Sequence, residues 1–129
     1  MNRNVEIKAE VADLAAVEER VAKLAGEGPI VLEQEDVFFH CPHGRLKLRR
    51  LAGAGQGELI AYDRPDAAGP KESRYLVHRT NDPDGLRDVL TEALGFRGVV
   101  RKRRTLYRIG QTRVHLDQVE GLGVFVELE

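Results

Sequence analysis

The 129-residue sequence contains a single cysteine, no tryptophan and almost no net charge. Lys and Arg total 20 and Asp and Glu total 21, so bulk electrostatics favour neither nucleic acid nor an anionic membrane. Cys41 has no partner for an internal disulfide, and no Cys/His/Asn constellation frames it, so we assign it no role. An anion-binding site in this chain must therefore come from local clustering of charge.

Long apolar segments are absent as well. No apolar run approaches the roughly 20 residues that cross a bilayer, and the N-terminal residues 1–6 lack the apolar stretch of a signal peptide. We therefore expect a cytoplasmic protein without a membrane or nucleic-acid partner. A hydrophobic content of 42% suits one domain, residues 1–129, with a modest core.

Most of the chain alternates polar and apolar residues, which predicts β-strands. The predicted strands are Asn4–Val11, Ile30–His40, Arg45–Leu51, Glu58–Arg64, Lys71–Arg79, Phe96–Arg108, Gln111–Val119 and Gly123–Glu129. Apolar residues at three- and four-residue steps predict two helices, one capped by Asp13 and one by Asp82. A glycine-rich turn is expected at Gly53–Gly57 and a loop at Pro65–Pro70. The fold class is α+β, predominantly β.

One face of several predicted strands carries an unusual density of charge. Strand by strand, the charged or titratable residues on these faces are Glu6 and Lys8; Arg45, Lys47 and Arg49; Lys102 and Arg104; Arg113, His115 and Asp117; and Glu127 and Glu129. Taken strand by strand, a solvated charged face is the more common arrangement. If these faces were enclosed instead, the cations would require a polyanionic ligand, and the carboxylates would suit Mg²⁺ or Mn²⁺. Periodicity alone leaves both arrangements open.

Asn4-Val5-Glu6-Ile7-Lys8 resembles the Glu-x-Glu-x-Lys signature of the CYTH family, also called triphosphate tunnel metalloenzymes. Further similar segments follow in the family's order: Gln34–Phe39, Arg45–Arg49, Val99–Arg104, Leu116–Gly123 and Phe125–Glu129. The combination is much more specific than the first signature alone. Within the family, the chain is most similar to bacterial class IV adenylate cyclase-like members.

This resemblance implies an eight-stranded antiparallel β-barrel tunnel with flanking helices. It also implies a divalent-metal-dependent enzyme that converts ATP to cyclic AMP and pyrophosphate, or hydrolyses inorganic, thiamine or nucleoside triphosphate. The implied triphosphate-binding residues are Lys8, Lys47, Arg49, Arg64, Arg74, Lys102, Arg104 and Arg113. The implied metal ligands for Mg²⁺ or Mn²⁺ are Glu6, Asp117, Glu127 and Glu129, and the implied catalytic residues are Lys8, Glu127 and Glu129.

Two departures from the family pattern bear on this expectation. Asn4 replaces the first glutamate of the signature, and a neutral amide binds a divalent ion more weakly than a carboxylate. The chain also ends at Glu129, where family members usually continue through a helix, so we expect one flank to be uncovered or supplied by a partner, for example in a homodimer. A non-catalytic module that binds triphosphate, polyphosphate or nucleotide is the alternative function.

Several side chains have two interpretations at this stage. His115 suits a proton shuttle or metal ligand, although a hydrogen-bonded structural role is more frequent for a lone strand histidine. Phe38, Phe39 and Tyr62 suit contacts to a nucleobase, although packing is the more frequent role of aromatic residues. The remaining histidines lack metal-ligand spacing, so no zinc site is expected.

Overall fold

Eight strands and two helices make up the part of the chain that the computed structural model describes, residues 2–51, 53, 55–64 and 69–129. Their bounds are β1 Asn2–Glu10, α1 Leu14–Leu24, β2 Glu27–Phe39, β3 Arg45–Leu51, β4 Gly57–Asp63, β5 Lys71–Thr80, α2 Pro83–Leu94, β6 Phe96–Ile109, β7 Thr112–Val119 and β8 Gly123–Leu128. The predicted order is confirmed, with Arg64 just beyond β4. The predicted turn Gly53–Gly57 and loop Pro65–Pro70 each fall partly outside the described residues.

The strands form a closed antiparallel barrel in the order β1-β5-β4-β3-β2-β6-β7-β8. Closure occurs at β1, whose first half pairs with β5 and whose second half pairs with β8. Successive side chains of a strand point to opposite faces, so in a closed barrel they point alternately into the interior and outward. The predicted α+β, mainly β barrel is therefore confirmed.

Both helices pack against the outside of the barrel. In α1, the Asp13 cap accepts a hydrogen bond from the Ala16 backbone at 3.1 Å, and the helix covers a cluster on β6 and β7. In α2, Asp82 accepts from the Gly85 backbone at 3.0 Å, and the helix covers a cluster on β2 and β3. The two clusters are Tyr107, Val114 and Leu116 under α1, and Val37, Phe39 and Leu48 under α2.

This arrangement places the buried apolar clusters between the barrel wall and the helices. Leu46 and Leu48 of β3 face α2, so the alternating residues Lys47 and Arg49 point into the barrel. The helices thus cover the outward faces of β2, β3, β6 and β7 and leave the opposite faces of these strands for the interior. Within the described residues, neither helix is long and apolar enough to cross a membrane.

Replacing Leu48 with Ala tests the position of the core. Leu48 is 0% exposed, so Leu48→Ala should lower the free energy of unfolding by roughly 2–5 kcal/mol, because a cavity opens beneath α2. Urea denaturation of the variant and of Leu76→Ala, whose parent side chain is 52% exposed, measures the difference. Equal small losses in both variants would show that Leu48 is not part of the core.

Candidate functional site

A cavity of about 520 Å³ lies inside the barrel and is lined by residues from all eight strands. Its lining is unusually charged for a protein interior. The cationic lining residues are Lys8, Arg45, Lys47, Arg49, Arg64, Lys102, Arg104 and Arg113, and the acidic ones are Glu6, Asp36, Glu58, Glu127 and Glu129. Among the described residues, this is a formal excess of three positive charges, so the enclosed arrangement of the charged strand faces is the one that the fold adopts.

On one side of the cavity, two cations of β3 meet one carboxylate of β2. Arg49 Nε and Nη2 donate to the two carboxylate oxygens of Asp36, each at 2.8 Å, and Lys47 Nζ lies 3.5 Å from Asp36 Oδ2. Burial alone would raise the pKa of Asp36, but the hydrogen bonds from Arg49 and the charge of Lys47 hold it well below its ordinary value. Asp36 is therefore a permanent anion in the cavity wall.

The neighbouring wall repeats the arrangement with residues of β6 and β7. Arg104 donates to both carboxylate oxygens of Asp117 at 2.9 Å, and Lys102 Nζ lies 3.8 Å from Asp117 Oδ2. Burial, together with the charges of Arg104 and Arg49, lowers the pKa of Lys102 to about 7. Asp117 is 0% exposed and is not among the lining residues, so it supports the wall from behind Arg104.

Carboxylates gather with one imidazole where β7 meets β8. Single ligand atoms of His115, Glu127 and Glu129 lie within 4.8 Å of one another. Glu129 Oε1 forms an ion pair with Arg113 Nη2 at 2.9 Å and lies 3.0 Å from His115 Nε2. The hydrogen bond with His115, followed by the charges of His115 and Arg113, lowers the pKa of Glu129 even though burial opposes the shift.

These donors fit a divalent cation. Glu127 has only a 3.9 Å ion pair with Arg104 among the contacts of the described residues, so its carboxylate is not held by a short hydrogen bond. Carboxylate oxygens are the preferred ligands of Mg²⁺ and Mn²⁺. One ring nitrogen of His115 belongs to the same group of ligand atoms, so the imidazole is a further donor at this position.

The structure brings most of the predicted site residues into this cavity. Lys8, Lys47, Arg49, Arg64, Lys102, Arg104 and Arg113 line it together with Glu6, Glu127 and Glu129. Glu6 accepts a 2.8 Å hydrogen bond from Arg64, and Asn4 lines the cavity beside them. The position that the resemblance assigns to a glutamate is therefore inside the cavity but neutral.

Arg74 and Asp117 depart from the predicted arrangement. Ser73 and Tyr75 line the cavity, so Arg74 between them faces outward and is exposed. This strand parity corrects the expectation for Arg74, which we leave out of the phosphate-binding set. Asp117 is close to the site, but Arg104 occupies both of its carboxylate oxygens.

Sequence reasoning assigned no role to three charged residues that line the cavity: Asp36, Arg45 and Glu58. Asp36 lies two residues before Phe38 on β2, and both line the cavity. The alternation of side chains along this strand was therefore the sequence feature that could have indicated Asp36. Of the three aromatic residues with two interpretations, Phe38 and Tyr62 line the cavity, whereas Phe39 is buried under α2.

The sequence pattern that defines the CYTH domain matches residues 2–129 of this chain. The chain belongs to the CYTH domain family. The resemblance identified from its motifs is thereby confirmed over nearly the whole sequence, and the cavity described above is the interior of a CYTH barrel.

Relatives of this CYTH domain include proteins named as cyclases. A Methanocaldococcus jannaschii protein named as a candidate adenylate cyclase is 28% identical over 132 residues, which are 97% of this chain and 75% of the relative. Adenylate cyclase CyaB of Aeromonas hydrophila is 30% identical over 135 residues, covering 96% of this chain and 66% of the relative. The solved structure of a Pyrococcus horikoshii protein superposes with a TM-score of 0.82 at 26% identity, covering 96% of this chain and 76% of that one.

The CYTH cavity should make stability depend on pH through Lys47. Burial and the charge of Arg49 lower its pKa from 10.5 to about 8. Below pH 8 the lysine is protonated in both states, and the cost of its burial is fully present. Between these two pKa values the unfolded chain binds more protons, so the free energy of unfolding rises with pH.

Urea unfolding near pH 7.5 and near pH 9.5 checks this expectation. The free energy of unfolding of the wild type should increase by roughly 2 kcal/mol more than that of Lys47→Met, which lacks the titrating group. Parallel changes in the two proteins would contradict the assigned pKa shift.

Proposed function

We propose that this CYTH domain is a divalent-metal-dependent enzyme that acts on a triphosphate-bearing substrate. The observation that carries the proposal is the convergence of buried cations from separate strands in one enclosure. Enclosing like charges is costly unless an anion compensates them, and Asp36 and Asp117 compensate only part of the charge. A multiply charged anion is the ligand that such a cavity favours.

The formal charge of the cavity also suits this ligand class. The lining carries an excess of three positive charges. A triphosphate bound to one divalent cation carries about two to three net negative charges near neutral pH. A monophosphate bound to the same divalent cation carries almost no net charge and would leave the cationic excess uncompensated, so the charge balance favours the triphosphate.

Glu127 and Glu129 would hold the metal, with His115 beside them as an additional donor and Glu6 as a further carboxylate of the same cavity. When bound, such a cation neutralises charge on the phosphates and on the leaving group. The phosphate oxygens are bound and oriented by cations of the chain itself, namely Lys47, Arg49, Lys102 and Arg104. Fixed charges of this kind stabilise the charge that develops on phosphate oxygens during transfer.

The names of the curated relatives favour cyclisation of ATP over simple hydrolysis. In that reaction the ribose 3′-hydroxyl must be aimed at the α-phosphorus, so the nucleoside has to lie beside the cation cluster. Phe38, Tyr62 and Phe125 line the cavity and offer apolar surface for it. Asn4 supports a second candidate, a triphosphate-binding module without turnover, because it removes one charged oxygen donor from the cavity.

The test is incubation of the protein with Mn²⁺ or Mg²⁺ and, separately, ATP, thiamine triphosphate and inorganic tripolyphosphate. Cyclic AMP with pyrophosphate identifies the cyclase, released phosphate identifies the hydrolase, and binding without product identifies the binding module. Lys47→Ala and Arg104→Ala should each weaken binding by roughly tenfold or more, because each removes a charged hydrogen-bond donor. If none of the three compounds binds, the proposal fails.

Glu127→Gln tests the proposed metal ligand. The amide should weaken Mn²⁺ binding by roughly tenfold or more, because a charged oxygen donor becomes neutral. Titration of Mn²⁺ followed by electron paramagnetic resonance measures this, with Glu33→Gln on the exposed outer face as the control. Equal Mn²⁺ affinity in Glu127→Gln and in the control would remove Glu127 from the ligand set.

A further inference from the structure

The cavity wall contains the same three-residue arrangement twice. Lys47 and Arg49 form the β3 arm, and Lys102 and Arg104 form the β6 arm, each with the sequence Lys-x-Arg. Each arm shares one aspartate of the adjacent antiparallel strand, and the arginine and aspartate are direct register partners in both cases. The two arms flank β2 in the barrel and belong to the same cavity.

The geometry of the arginine pairs leaves donors for a ligand. In each pair, Asp36 or Asp117 binds the Nε and Nη2 atoms of its arginine in a bidentate pair. The guanidinium retains other N–H donors outside the pair. Both arginines line the cavity, so a fixed guanidinium plane is presented to whatever enters.

Without the aspartates, the side chains of the two arms would not be held in fixed positions. The cations of the two arms repel each other, because Arg49 of the β3 arm acts electrostatically on Lys102, and Arg104 of the β6 arm acts on Lys47. Long side chains that repel one another and lose a bidentate partner are free to adopt other rotamers. Ordering them again on binding would reduce affinity.

We propose that Asp36 and Asp117 are positioning residues that hold the two Lys-x-Arg arms in phosphate-binding geometry before the substrate arrives. The inference rests on the proposed triphosphate site and extends it, since it assigns a role to Asp36 and gives Asp117 a task other than binding metal. The positioning role predicts a change in polyanion affinity opposite in direction to the change that charge alone predicts. Charge alone predicts that removal of an anion from a cationic cavity tightens polyanion binding, whereas positioning predicts weaker binding.

Calorimetric titration with inorganic tripolyphosphate in EDTA tests this without any metal. Asp36→Asn and Asp117→Asn should each bind roughly tenfold more weakly than the wild type, although the net charge of each variant is more positive by one unit. Glu58→Gln is the matched control, because Glu58 lines the same cavity and lies opposite Arg49 on β4, where it acts on Arg49 through its charge, whereas its described ion pair is with Arg79, at 3.8 Å. This control should bind as tightly as the wild type or more tightly.

Asp36→Glu guards against a folding defect in the neutral variants. It keeps the charge but moves the carboxylate by one methylene, so positioning predicts weaker binding at an unchanged unfolding temperature, and charge alone predicts no change. Thermal unfolding of every variant without ligand separates loss of fold from loss of affinity.

The outcomes distinguish failure of the proposed function from failure of the positioning role. If the wild type does not bind tripolyphosphate, the proposed function fails. If the wild type binds and the Asp36 variants bind equally or more tightly, the positioning role of Asp36 is overturned. If Asp117→Asn binds tripolyphosphate in EDTA as tightly as the wild type or more tightly, the positioning role of Asp117 is overturned.

Discussion

The structure depends on the pairing of buried cations with buried carboxylates inside the barrel. Arg49 with Asp36, and Arg104 with Asp117, are bidentate pairs that offset much of the cost of removing four charges from water. Because the interior is given to these charges, the buried apolar clusters lie outside the wall. The two helices are therefore necessary to the design, since they provide the apolar surface that the barrel interior lacks.

The succession of strands and helices along the chain and the composition of the charged faces were predictable from alternation and capping residues. The direction of those faces was not. Alternation defines two sides of a strand but does not say which is enclosed, and a charged side is usually the solvated one. The family resemblance resolved this for the cationic strands, and the physical reason is visible in β3: Leu46 and Leu48 belong to the cluster beneath α2.

The errors and omissions have a common origin in strand parity and long-range pairing. The run Arg74-Tyr75-Leu76-Val77-His78 does not alternate cleanly, so the sequence offered no clear inward side for Arg74. Asp36 follows another acidic residue, Glu35, and its bidentate partner lies on a different strand. The pair of Arg64 with Glu6 spans 58 positions, and it forms because β5 pairs with both β1 and β4.

The position of the apolar clusters has an evolutionary consequence. Lys47, Leu48 and Arg49 are consecutive, so the residue that anchors β3 under α2 sits between two residues that face the lumen. A change of side-chain volume at the helix interface acts on the residue from whose two neighbours both cations project. Substitutions in α2 can therefore adjust ligand affinity while every residue that lines the cavity is kept. For the same reason, the cations on the inner face of β3 restrict which substitutions α2 tolerates.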